Sequence, residues 1–181
     1  VQLVRIACYS HEFRGVLPAA NWLKTRGFTV GFNLMQIADK SESEVSDLAK
    51  AAASYPVDVL YFADSMGGMS PTDAVRILGW IRQGWSGPIG IHTHDNLGLA
   101  LQNTLRALDE GATWVDSTVT GMGRGPGNAR TEELVIEICE RRRVPVDLVA
   151  LMRLVREHFK PMQNLYGWGT NSYYYLAGKY R

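Results

Sequence analysis

The sequence predicts an α/β fold, a parallel sheet whose strands are joined by helical crossovers. Three observations lead there. Five short apolar runs rich in β-branched and aromatic residues recur at intervals of roughly 26 to 31 residues, the length of a strand–helix unit. Several runs are apolar throughout rather than alternating, as strands covered on both faces are. The segments between them carry helical periodicity and helix-start signals.

In chain order, the first strand is Leu3–Cys8 and a helix fits Val16–Arg26. The second strand is Phe28–Met35. Ser41, with Glu44 three residues on, makes a capping-box start for a helix through Ala53. Val57–Ala63 is the third strand. Ser70-Pro71 opens the next helix, with proline at the first helical position, where a missing N–H costs nothing. Pro88–Thr93 is the fourth strand. Leu97, Leu101, Leu105 and Leu108 then lie on one helical stripe, with Asp95 or Asn96 as the starting cap and Gly111 at the end. Trp114–Thr120 is the fifth strand, and helices fit Thr131–Arg142 and Asp147–His158. An open doubly wound sheet and part of a (β/α)8 barrel both satisfy this alternation. A whole barrel needs eight strands and typically ~250 residues. No linker or low-complexity stretch divides the chain, so residues 1–181 are expected to form a single domain.

Composition narrows the function classes. With 181 residues, 46% of them hydrophobic, the chain can bury a core without staples and is not disordered. A net charge of +1, without a basic stripe, argues against nucleic-acid binding. No run approaches the ~20 apolar residues of a membrane span, and no signal peptide opens the chain. Two cysteines, Cys8 and Cys139, suit a reducing, cytoplasmic setting. Val1 is not methionine, so a piece of a longer chain is expected.

Three segments carry possible chemistry. In Ile91-His92-Thr93-His94-Asp95-Asn96, the two histidines are two apart on a strand and share a face. They stand at the strand's carboxyl end, where α/β proteins build their sites. They read either as a pair of metal ligands or as strand-end polar residues bonded to loop backbone. The loop Gly121-Met122-Gly123-Arg124-Gly125-Pro126-Gly127-Asn128 is not a dinucleotide fingerprint, because the third required glycine falls on Pro126 or Asn128. Alternating glycines allow close backbone approach and can aim Asn128 into a site, or Asn128 can cap the following helix. In Ala63-Asp64-Ser65-Met66-Gly67-Gly68, Asp64 and Ser65 are expected at the same mouth, with Gly67 and Gly68 freeing N–H groups for a carboxylate. A turn satisfying its own backbone is the alternative. Cys8 reads as a buried thiol, Arg141-Arg142-Arg143 as a solvated helix end, and the tyrosine-rich tail as packing first and a substrate lid second.

Together these residues resemble the metal-dependent aldolase and lyase superfamily of TIM barrels that includes HMG-CoA lyase and isopropylmalate synthase, above all its 4-hydroxy-2-oxovalerate aldolase branch. VRIA (Val4–Ala7), ADS-GG (Ala63–Gly68), HTHDNLGLALQNT (His92–Thr104) and Val115-Asp116 through GMGRGPGNA (Gly121–Ala129) carry the resemblance, which fades after about Arg143. It implies a partial (β/α)8 TIM barrel, with five parallel units forming its C-terminal portion and helices beyond them. It implies His92 and His94 as metal ligands and Asn128 as a further ligand or a residue behind them. Ser65 would orient the substrate carboxylate, with Asp64, Gly67 and Gly68 around it. The implied cofactor is a divalent metal, manganese first, with magnesium, cobalt and zinc open. The implied reaction cleaves a 4-hydroxy-2-oxo acid to pyruvate and an aldehyde through a metal-stabilised enolate. A homo-oligomer and an aldehyde dehydrogenase partner follow by the same analogy. His11 and Tyr173 are candidates for catalytic proton transfer.

The departures are specific. The family's first-strand Arg-Asp pair has no counterpart, and Asp95 stands where the aldolases carry His. Trp168 falls at the C-terminal tyrosine acid, with Tyr173 to Tyr175 nearby. An acyl-CoA-condensing synthase, or an assembly module without a competent site, is the alternative function.

Overall fold

Five parallel strands hydrogen-bond in the order in which they occur along the chain. They are β1 (Leu3–Tyr9), β2 (Thr29–Met35), β3 (Val59–Asp64), β4 (Ile89–Thr93) and β5 (Trp114–Val115). The computed structural model describes residues 2–180. Strand order decides between the two architectures. A doubly wound sheet reverses direction at a switch point, and this one does not. Its curvature is as telling. In a flat sheet β1 and β5 would lie four strand spacings apart, about 19 Å. Yet the Arg5 guanidinium on β1 meets the carboxylate of Asp116, just after β5, at 2.5 Å. The sheet is therefore an arc of a TIM-type barrel, and the two side chains meet across its hollow.

The helices alternate with the strands. They are α1 (Phe13–Val16), α2 (Ala19–Lys24), α3 (Glu42–Ala53), α4 (Pro71–Arg82), α5 (Ala100–Asp109) and α6 (Thr131–Arg142), followed by α7 (Leu148–Leu154), α8 (Lys160–Tyr166) and α9 (Ser172–Lys179). The expected capping box at Ser41 forms, and Ser70, expected to open α4 with Pro71, makes a second. Ser41 Oγ accepts from Glu44 N–H while Glu44 accepts from Ser41 N–H, and Ser70 and Asp73 do the same for α4. The core lies between sheet and helices. Val30, Phe32, Leu34, Leu60, Phe62, Ile89 and Ile91 fill it from the strands, and Phe13 meets Phe32 edge to face at 5.7 Å. No helix among the described residues is long and apolar enough to cross a membrane.

Three boundaries differ from the sequence reading. The helix expected over 16–26 is two short ones, because the chain turns at Leu17-Pro18 and Pro18 caps α2. The helix after β4 starts at Ala100, and its buried face is Ala100, Asn103, Thr104 and Ala107, with the leucine stripe only flanking it. Asp95 still serves that helix start, since its Oδ1 accepts from Ala100 N–H at 3.0 Å. The fifth strand is only two residues long. Beyond Asp116 the backbone leaves β4, Thr118 pairs with Arg130 after the glycine loop, and Thr120 adopts φ 54°.

On the inner face, Tyr61 lies across Gly90, whose missing Cβ would stand 2.3 Å from the ring. Arg5 sits over the same ring at 4.4 Å, and Trp114 meets its edge at 6.4 Å. A Gly90→Ala substitution must displace this stack. Overpacking of this kind costs about 1–3 kcal/mol, so thermal unfolding of the variant should shift down by roughly 2–10 °C for a chain of this size.

Candidate active site

Side chains two apart on a strand share a face, and that alternation builds the site. Arg5, Ala7 and Tyr9 of β1, Asn33 and Met35 of β2, Ala63 of β3 and His92 of β4 point inward around a cavity of about 410 Å³. Gln36, Ser65, Met66, His94 and Arg124 close it from the loops at the carboxyl ends of the strands. None of the described lining residues is acidic.

His92 Nδ1 lies 2.8 Å from Asp116 Oδ2. With a carboxylate there, Nδ1 carries the proton and donates it, leaving the Nε2 lone pair free. Arg5 grips the same carboxylate oxygen. Burial works to raise the Asp116 pKa, but the His92 hydrogen bond and the Arg5 charge outweigh it and hold the group ionised below the usual carboxylate range. The His94 ring stands 5.2 Å from that of His92, at 82° to it. Its Nδ1 is buried without a hydrogen-bond partner. Burial first, then the charges of His92 and Arg124, push its pKa down to about 4. His94 is therefore a neutral imidazole at physiological pH.

The glycine loop brings Asn128 to this pair. Asn128 and His94 form an antiparallel bridge, and Asp95 N–H donates to Gly127 O at 3.0 Å. This approach is what the glycines permit. A Cβ on Gly127 would stand 2.2 Å from Gly121 O, and one on Gly123 would stand 2.5 Å from Asn128 Nδ2. The Asn128 amide nitrogen donates to Met122 O and Thr118 Oγ1 at 3.3 and 3.4 Å, which turns Oδ1 away, buried and unpartnered. A buried acceptor with no donor is costly, and an unpartnered amide oxygen on a residue bridge-paired with one imidazole and close to a second can serve a cation. Among the described residues no group of three or more His, Cys, Asp or Glu is placed to hold one. The neutral donors near the cavity are thus two imidazoles and the amide oxygens of Asn33, which lines it, and Asn128, beside it.

Ser65 Oγ accepts from Gln36 N–H at 2.9 Å, so its own proton is free for the cavity. Gln36 holds that N–H in place from a left-handed conformation, φ 52°, a strain of about 1–2 kcal/mol for a residue with a Cβ.

Of the remaining expectations, the buried thiol of Cys8 is met and the others are corrected. Asp64 does not share the mouth with Ser65. As the neighbouring strand residue it points to the opposite face, is fully buried, and accepts from Gly68 and Met69 N–H at 3.0 and 3.2 Å. Gly67 N–H donates to Asp64 O. Neither glycine therefore offers its N–H to a ligand; this is the self-satisfied turn. His11 stacks on Tyr9 at 5.6 Å and lines neighbouring depressions, not the main cavity. Tyr173 is 84% exposed and lines none of these cavities. Trp168 is buried, with its indole N–H donating to Thr120 O at 3.1 Å, an anchor for the tail. Cys8 is buried and its thiol pushed up to about 11, chiefly by burial, so it is an inert thiol. Sequence reasoning passed over Arg5, Asn33, Gln36, Asp116 and Arg124. Arg5 left a usable signal, a lone charge at an inward position of an apolar strand.

A family model described as HMGL-like matches residues 10–157. The chain is similar to 4-hydroxy-2-oxovalerate aldolases. It is 41% identical over 68% of its length to that of Pelotomaculum thermopropionicum, and 34% identical over 90% to that of Brevibacillus brevis. It spans 36% and 48% of those two proteins. Among solved structures, the N-terminal domain of a Bacteroides vulgatus protein assigned as an aldolase superposes with a TM-score of 0.91 at 35% identity. That match covers 99% of this chain and 60% of the other.

Two measurements test the site. Asp116→Asn should lower stability by about 1–3 kcal/mol, the scale for leaving a charged partner unsatisfied. The double variant with Arg5→Met should lose less than the sum of the singles in urea unfolding. In the presence of a chelator, burial holds the His94 pKa down to about 4 in the folded chain, against an ordinary value near 6.5 in the unfolded one. The unfolded chain then binds the extra proton between those values, so stability should fall as pH drops from about 6.5 to 4 and stay level above 7. His94→Gln should flatten that slope.

Proposed function

The chain belongs to the HMGL-like family, and from that premise we propose that it forms the site of a divalent-metal-dependent aldolase acting on 4-hydroxy-2-oxo acids. One observation carries the reading. The Asn128 Oδ1 is buried without a hydrogen-bond partner among the described residues, on a residue bridge-paired with His94, and His94 lines one cavity with a His92 whose tautomer is set by Asp116. In this reading His92, His94 and Asn128 hold the cation, manganese first and magnesium, cobalt or zinc as alternatives. When bound, such a cation acts as a Lewis acid on the 2-oxo group and lowers the cost of the negative charge that develops as the carbon–carbon bond breaks.

The chain's own residues bind and orient the substrate and the ligating imidazole. Ser65, its oxygen already engaged by Gln36 N–H, donates its hydroxyl proton to the substrate carboxylate. Asp116 keeps His92 in one tautomer and one orientation, a role in which an outer carboxylate is commonly worth 10- to 100-fold, on the order of one to three kcal/mol. Arg5 keeps Asp116 ionised.

Pyruvate release from 4-hydroxy-2-oxopentanoate, followed with lactate dehydrogenase, tests this reading. Activity should require Mn²⁺ or a related ion, disappear with chelator and return on readdition. His92→Ala and His94→Ala should each lose about 100-fold or more, the scale for removing a group that stabilises developing charge. Absence of both metal uptake and pyruvate release would overturn it.

A further inference from the structure

The main cavity does not end at Ser65. A second one, of about 270 Å³, begins there. Ser65, Met66 and Arg124 line both, and Asn96, Gly125, Pro126 and Tyr174 complete the far side. Arg124 stands at the junction, tethered by its Nη2 to Ser65 O at 3.3 Å. The other guanidinium of the site, Arg5, is neutralised by Asp116. Arg124 has no carboxylate partner among the described residues, and neither cavity has an acidic lining residue.

The tail supplies a second polar group. Asn96 donates to Tyr174 O at 3.1 Å and so fixes the start of α9 over the loop. A Cβ on Gly125 would come within 3.0 Å of the Tyr174 ring and 3.3 Å of its hydroxyl oxygen. Glycine there lets the tyrosine lie against the loop next to Arg124. Its hydroxyl has no partner among the described residues.

With a 2-oxo acid oriented by Ser65 and the histidines, the half that leaves as the aldehyde must extend away from them. The second cavity is the room beyond Ser65. Ser65 and the cation would hold the 2-oxo acid carboxylate in the main cavity, and a neutral aldehyde would then leave the N–H groups that Arg124 presents to the second cavity without an anion. We propose that the aldehyde half of the substrate carries a second anionic group, a carboxylate or phosphoryl, received by Arg124 with the Tyr174 hydroxyl in this second cavity. Either oxyanion can accept two parallel N–H bonds from the guanidinium fork. The proposal rests on the 2-oxo acid reading above and narrows its substrate class to dianions.

Isothermal titration in the presence of Mn²⁺ tests it without requiring turnover. The ligands are 2-oxopentanoate, its dicarboxylate counterpart 2-oxoglutarate, and 2-oxo-4-phosphonobutyrate, which separates a carboxylate from a phosphoryl preference. At least one dianion should bind 10-fold or more tighter than 2-oxopentanoate. Arg124→Gln should bring that ratio to about one, while Arg14→Gln, outside both cavities, leaves it. Equal affinities, no dianion binding, or a preference that survives Arg124→Gln would overturn the proposal. The two readings fail separately. Dianion preference without pyruvate release removes the aldolase reading and keeps this site, and pyruvate release without dianion preference does the reverse.

Discussion

A single carboxylate ties the two ends of the strand arc together and sets the chemistry of the site. Asp116 takes a guanidinium from β1 and an imidazole from β4 on one oxygen. Structurally, it spans the hollow of the arc. Chemically, it commits the His92 proton to Nδ1 and so presents the other nitrogen as a donor of electrons. Neither role needs the other, yet one side chain performs both. The shape of the sheet and the orientation of the imidazole are therefore coupled, and a change at Arg5 is felt at His92 without touching it. The ring stack of Arg5, Tyr61 and Trp114 beneath is the packing half of the same arrangement.

Much of this was legible in the residues. Apolar runs at regular spacing marked the parallel strands, and the Ser41–Glu44 capping box and Ser70-Pro71 marked the starts of α3 and α4 to the residue. The period of two on β4 put His92 and His94 on one side, and the glycine loop gave away Asn128. What failed did so for physical reasons. The same period of two, applied at Asp64 and Ser65, places neighbours on opposite faces, so a shared mouth for both was geometrically excluded. The fifth strand was overextended because Val119 and Thr120 have strand propensity, while the pairing that diverts them, Thr118 with Arg130, is set by the loop and is non-local. The bridge from Arg5 to Asp116 joins residues 111 positions apart, and no local pattern announces such a contact.

The glycine loop and the tail act as one lid-like layer over the strand ends. Gly121 and Gly127 let the loop close on itself, Gly123 makes space for the Asn128 amide, and Gly125 seats Tyr174. Trp168 and Asn96 lock the tail to that loop and to the β4 end. Arg124 projects from the middle of this layer. The residues that would orient the reacting end and those that would read the rest of the substrate therefore lie on one short segment.

All of this presupposes that His92 and His94 share one cation. Pulsed electron paramagnetic resonance of the Mn²⁺-bound protein reads that directly, because directly ligated imidazole nitrogens modulate the electron spin echo. The account requires nitrogen couplings from two histidines, one of them lost in His92→Gln and the other in His94→Gln. An echo carrying only water protons, or nitrogen couplings unchanged in both variants, would contradict it.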